Sequence, residues 1–104
     1  MIHGIIMQGT TPEQYYQFPF PTEEFQEVSV TYRQKGKIII KKQKGECTLR
    51  DNYIIVSLTQ AETLSFSPGE VVEVQIKIKD KNNEVMGSEV YRLLVKEIFD
   101  EEEF

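Results

Sequence analysis

Only one cysteine, Cys47, and one histidine, His3, occur in this 104-residue chain. A lone cysteine forms no internal disulfide, which fits synthesis in a reducing cytosol. A lone histidine leaves no second imidazole for a zinc cluster, and a nucleophile–base pair would need partners brought round it. His3 is expected to be a mobile side chain in an unstructured lead. No apolar run approaches the ~18 residues of a membrane-spanning helix. The opening Met1–Met7 is short and lacks the basic flank of a signal peptide. Basic residues are also scarce: 12 Lys and Arg stand against 17 Asp and Glu, a net charge of −5. Binding to a nucleic-acid backbone needs a basic excess, so that partner class is not expected, and neither is membrane insertion. No internal repeat, no cofactor motif and no long helical period appears.

What is present is β pattern. Apolar residues make up 39% and aromatics 11% of the chain, a composition that folds rather than one that stays disordered. The length suits one domain that buries roughly two-thirds of its unfolded surface. Residues 1–8 are read as a flexible lead-in, followed by the turn chemistry of Gly9-Thr10-Thr11-Pro12. Tyr16, Phe18 and Phe20 have period two and predict a first strand over Tyr15–Phe20. Pro19 and Pro21 place its end at a sheet edge, because proline cannot donate to a ladder. Thr22–Phe25 reads as one capped turn.

Glu27–Gln34 alternates Val28, Val30 and Tyr32 inward. Lys35-Gly36 then gives a two-residue hairpin into Lys37–Lys42, with Ile38 and Ile40 facing in and Ile39 opposite. Gln43–Asn52 is polar, although Cys47 and Leu49 can bridge onto the sheet. Val71–Lys79 is the most regular strand, with Val72, Val74, Ile76 and Ile78 on one face. Asp80–Asn83 is a hairpin loop, Glu84–Ser88 a short edge piece, and Glu89–Ile98 the last strand. Asp100–Glu103 is an acidic run, read with Phe104 as a flexible tail. About seven strands and no long helix predict an all-β, antiparallel two-layer sandwich of immunoglobulin-like size. A small closed barrel is the alternative.

The stretch Tyr53–Phe66 organises the rest. Ile54, Val56 and Leu58 share one face of a strand. The period then changes: Thr59 can cap a helical turn while Glu62 reaches back to its amide, a capping box. Leu64 and Phe66 follow as apolar weight. Thr59, Glu62, Leu64 and Phe66 are therefore expected to form a structural plug at one end of the fold.

Candidate chemistry is thin. Cys47 beside Glu46 lacks the cationic setting of a reactive thiolate and reads as a small buried hydrophobe. Glu23, Glu24, Glu27 and Glu101–Glu103 are acidic side chains close in sequence, better read as solvated than as a glycosidase pair. Asp80, Asn82 and Glu84 alternate as calcium ligands might, but the rest of such a loop is missing. The lysines Lys35, Lys37, Lys41, Lys42 and Lys44 read as edge-strand protection that could also steer an acidic partner. Tyr15, Tyr16, Phe18 and Phe20 are the main candidates for docking, with Tyr15 the exposed member and the other three able to serve as core.

Several motifs together resemble a known group. They are Gly9-Thr10-Thr11-Pro12 ahead of Phe18-Pro19-Phe20, then Val30-Thr31-Tyr32-Arg33-Gln34-Lys35-Gly36. Leu58-Thr59-Gln60-Ala61-Glu62-Thr63-Leu64-Ser65-Phe66 and Val74–Ile78 follow, with a short segment around Ser88. The chain is similar, over Met7–Ile98, to small proteins of phages and prophages of Gram-positive bacteria. It resembles more loosely the N-terminal domain of phage baseplate upper proteins. Met1–Ile6 departs from that pattern. The resemblance implies a β-sandwich of the virion or its assembly, made in the bacterial cytoplasm, with no catalytic residues to carry over. The expected function is non-enzymatic: an adaptor that docks on other particle proteins or on itself, with no cofactor. A carbohydrate- or host-surface-binding module using exposed tyrosines is the alternative.

Overall fold

The structure, a computed structural model describing residues 1–104, is all-β, with nine strands in two sheets. The strands are β1 (Gly4–Met7), β2 (Glu13–Gln17), β3 (Glu27–Gln34), β4 (Lys37–Gln43) and β5 (Cys47–Arg50). They continue with β6 (Tyr53–Ser57), β7 (Val71–Lys79), β8 (Val85–Gly87) and β9 (Tyr91–Lys96). A 3-10 turn covers Lys44–Glu46 and one short helix, α1, covers Gln60–Leu64. The large sheet runs β1-β9-β7-β3-β4 with β8 also on β7; the small sheet runs β2-β6-β5. No helix is long and apolar enough to cross a membrane.

One core lies between the sheets. Val28, Val30 and Tyr32 of β3 and Val72, Val74, Ile76 and Ile78 of β7 meet Ile54 and Val56 of β6, all buried. Strict alternation on β3 and β7 produces this: each strand has one apolar face, and the other face carries Ser29, Thr31, Glu73, Gln75 and Lys77. The Lys35-Gly36 hairpin has positive φ at both residues, 51° and 75°, the twist-matched geometry of a two-residue β-turn. The β7 hairpin turns at Asp80–Asn83, with Asn83 at φ 65°.

Several expectations need correction. Residues 1–8 are not a loose lead: β1 pairs in parallel with β9, Ile6 is 1% exposed, and His3 Nδ1 accepts from Arg92 N at 2.9 Å. The apolar run Ile5-Ile6-Met7 is a strand because the open edge of β9 can accept its backbone, a long-range pairing that local sequence does not display. The first antiparallel strand is Glu13–Gln17 and does not extend to Phe20. Phe18 N donates instead to Asn52 O at 2.7 Å, and Pro19 ends the ladder. Ile38 points outward and is 60% exposed, because the register of β3 against β4 slips at Tyr32/Arg33. Ile39 is the extra residue of that bulge, so parity is reversed beyond it. Gln43–Asn52 is more ordered than its polarity suggests: Cys47–Arg50 is a strand on β6, with Cys47 and Leu49 against the core as expected.

The plug forms with one change. Thr59 Oγ1 accepts from Glu62 N at 3.1 Å and Glu62 Oε1 accepts from Thr59 N at 2.8 Å, closing the capping box. Phe66 is 1% exposed, its ring 6.1 Å from that of Tyr32. Leu64 is only half-buried and lies outside the core cluster. In a helix of 5 residues, the inward position falls on Thr63, which is fully buried and donates from Oγ1 to Thr10 O at 2.9 Å. Leu64 covers Gly9 and Ile98 at the rim instead.

Candidate docking surface

Each sheet ends in exposed strands, and two of those edges open onto one side of the molecule. β1 is the outer strand of the large sheet, and β2 that of the small one. A trough runs between them, with Tyr16, Tyr91 and Leu93 on its floor. It continues past Phe18 and Phe20 to Met86 of β8.

The four docking candidates do not share this surface equally. Tyr15 alone is well exposed, at 52%, with its ring edge-on to Tyr53 at 6.0 Å. Tyr16 has the opposite parity on β2 and is a core residue. Its ring lies 5.1 Å from Tyr91, and its hydroxyl 3.2 Å from that of Tyr32. Gln14 Oε1 accepts from both hydroxyls, Tyr16 at 3.0 Å and Tyr32 at 2.5 Å. Burial pushes the Tyr16 and Tyr32 phenols well above the ordinary value of 10. Phe18 and Phe20 lie in the bend after β2 and close a triangle with Phe25, with ring centroids 5.6 to 5.9 Å apart. They are half-buried walls of the trough.

The remaining candidates have structural partners. The Cys47 thiol is pushed up by burial and by Glu46, with Lys42 opposing, so the protonated form is favoured. Glu24 pairs with Lys81 at 3.0 Å, Glu27 with Lys79 at 3.7 Å, and Glu23 accepts from Asp51 N at 3.1 Å. Asp80 Oδ1 accepts from Asn82 N and Glu84 N, closing its hairpin tip, as turn asparates do. No group of three or more His, Cys, Asp or Glu is placed to hold a metal ion.

Some important residues escape pattern reading. Gln34 grips the loop after the plug: its Nε2 donates to Ser67 O at 3.0 Å and its Oε1 accepts from Ser67 N at 2.8 Å. Gln8 Nε2 donates to Phe66 O at 2.9 Å. Lys42 is buried beneath α1, where its cation meets Glu62. The signal for Gln34 was its parity, which continues the inward series Val28, Val30, Tyr32. An inward glutamine at a strand end announces a buried backbone partner.

The rings along the trough are tilted or edge-on to one another, with interplanar angles of 50° to 75°. They do not form the coplanar stacking platform on which a sugar ring would lie. An extended segment, by contrast, could add to either edge through its main chain and place side chains in the trough. Compared with known proteins, the chain matches no family model and no curated sequence.

Proposed function

We propose that this chain is a non-enzymatic docking domain of a phage or prophage particle, associated with the tail or baseplate. Its partner is another particle protein that contributes an extended segment. The observation that carries the reading is the meeting of two sheet edges, β1 and β2, along one aromatic trough, with β1 free of guarding charge. Edge strands are commonly guarded by charge, proline or bulges, since unpaired backbone groups recruit other strands. β4, the opposite edge of the large sheet, has both lysines and a bulge. Residues 1–12 contain no Asp, Glu, Lys or Arg, and Ile5 and Met7 of β1 are 61% and 46% exposed. The place in a particle comes from the sequence resemblance; the mode of action comes from the edges. Edge-on rings make the sugar-binding alternative the weaker one.

The test is co-purification with products of neighbouring genes, comparing the parent with Ile5→Lys and Tyr15→Ala. Both side chains are exposed, so the variants should fold as the parent does. Loss of a partner in either variant supports edge docking. A parent that captures none of the co-encoded proteins, yet retains a glycan on an array, sinks it.

A further inference from the structure

The outer face of the large sheet contradicts the charge of the chain it belongs to. Lys41 on β4 and Lys77 on β7 flank Ser29 and Thr31 of β3, and Lys44 borders them at the 3-10 turn. None of the three lysines has a carboxylate within ion-pair distance, whereas Arg33, Lys35, Lys42, Lys81 and Arg92 each have one. Two shallow hollows meet at Ser29, Lys41 and Lys77. Exposed Val85 lines one, and exposed Ile38 and Val90 line the other. The carboxylates that line the hollows, Glu27 and Glu73, are already paired with Lys79 and with Arg33 and Arg92. The face therefore offers unpaired cations beside a few exposed apolar side chains on a chain of net charge −5.

The complementary chemistry is at the other end of the same chain. Phe99 and Phe104 are fully exposed, and Asp100-Glu101-Glu102-Glu103 lies between them. We propose that the outer face around Lys41 and Lys77 receives the Phe99–Phe104 segment of a second copy, joining molecules head to tail. The four carboxylates would meet the lysines, and the two rings would enter the hollows at Val85 and at Ile38 and Val90. This interface is separate from the β1 and β2 edges and does not depend on their role.

Reach selects a second copy over the same one. β9 leaves the sheet beside the start of β7, since Leu94 pairs with Val71. Lys77 lies six residues further along β7, ~20 Å away at strand rise. The segment is held at Ile98, which packs over Gly9. The six residues after Ile98 span at most ~20 Å, so full extension would bring only their end to Lys77. In the structure they turn elsewhere: Phe104 N donates to Gln60 Oε1 on α1 at 3.1 Å. A donor segment at one end of the molecule and a receiving face towards the other give a heterologous contact, which builds rings or chains.

The test uses two variants at exposed positions, Lys41→Glu/Lys77→Glu and Phe99→Ser/Phe104→Ser, by sedimentation velocity at ~0.05 M and ~0.5 M salt. The parent should associate at low salt, with an association constant at least about tenfold smaller at high salt. Each variant alone should be monomeric. Their mixture retains one intact face and one intact segment, and should give a species limited to two chains. A peptide of residues 97–104 should also shift the amide resonances of Lys41 and Lys77 in the Phe99→Ser/Phe104→Ser protein. A parent that is monomeric at low salt, association that survives either variant, a mixture that stays monomeric, or a peptide that leaves those resonances unmoved would each overturn the proposal.

Discussion

Lys42 Nζ lies 2.7 Å from Glu62 Oε2 beneath α1, joining the last inward position of β4 to the first turn of the helix. Only 11% of the lysine side chain and 25% of the glutamate's are exposed. The other carboxylate oxygen receives the Thr59 amide. One side chain thus closes the capping box and neutralises the cation under the plug. The partners are not equivalent. Removing the carboxylate leaves an ammonium buried and the Thr59 amide unpaired, whereas removing the lysine leaves a carboxylate with access to water. Glu62→Ala should cost about 2–4 kcal/mol by urea denaturation, and Lys42→Met less than about 1 kcal/mol. Equal losses in the two variants would show that the asymmetry of burial is unimportant.

The same pair sets an acid limit. Burial works to raise the Glu62 carboxyl, but hydrogen bonds to Lys42 and to the Thr59 amide prevail and hold it below its ordinary 4.5. A folded-state value below the unfolded one gives stability that is full above pH 4.5 and is lost as pH falls through the folded value. The parent should therefore lose stability below that pH more steeply than Glu62→Gln, in melts taken across the acid range. Parallel curves for the two proteins would remove Glu62 from the acid transition.

Phe66 is the anchor of the plug. Its ring is closed off from solvent and packs near Tyr32, while Gln8 and Gln34 hold the backbone at its carbonyl and at Ser67 after it. Those clamps hinder the main chain from collapsing into a vacated site, so the cavity should persist. Phe66→Ala is expected to cost about 3–5 kcal/mol in chemical denaturation. A variant melting within a degree or two of the parent would mean that the end of the sandwich can close without it.

How much of this was legible depends on the range of the pairing involved. The β3–β4 hairpin, the alternation of β7 and the Thr59–Glu62 capping box follow from local chemistry, and they appear where the pattern puts them. β1 does not, because its partner β9 lies some ninety residues away in the chain and parallel pairing leaves no turn between them. Ile38 departs from the alternation for another reason. A bulge is one extra residue, and Ile38-Ile39-Ile40 offers three equivalent candidates for it. The docking candidates divided by parity: Tyr15 faces out as alternation requires, while Tyr16 enters the core. Phe18 and Phe20 escaped that rule because the strand had already ended at Gln17.

The buried tyrosines make an alkaline limit. Desolvation raises Tyr16, followed by opposing and reinforcing neighbours, and raises Tyr32 with reinforcement from Tyr16 itself. A folded-state value above the unfolded one gives stability that is full below pH 10 and declines as pH rises, because only the unfolded chain can then release the protons. Tyrosinate absorbance from these two rings should appear together with loss of the fold above about pH 10. Tyr32→Phe should shift the alkaline transition upward. Ionisation of Tyr16 and Tyr32 in a protein that remains folded would contradict the hydroxyl network.

Ser88 completes the longest hairpin by standing in for a strand. β8 and β9 follow one another along the same side of β7, but their registers differ by one residue, leaving a break opposite Ile76. Ser88 fills it from both ends: its N donates to Ile76 O at 2.7 Å and its Oγ accepts from Ile76 N at 2.9 Å. The same hydroxyl donates to Glu89 O at 2.7 Å, which fixes its orientation. Ile76 is 1% exposed, so its amide has no alternative acceptor in water. Ser88→Ala should therefore cost about 1–3 kcal/mol, the penalty for a buried donor left without a partner. Hydrogen exchange gives the sharper measurement. The Ile76 amide should speed up far more than that of Val74, which stays paired in the ladder. If the two amides accelerate together, the change is a general loosening of β7, and the serine is not the partner that holds this position.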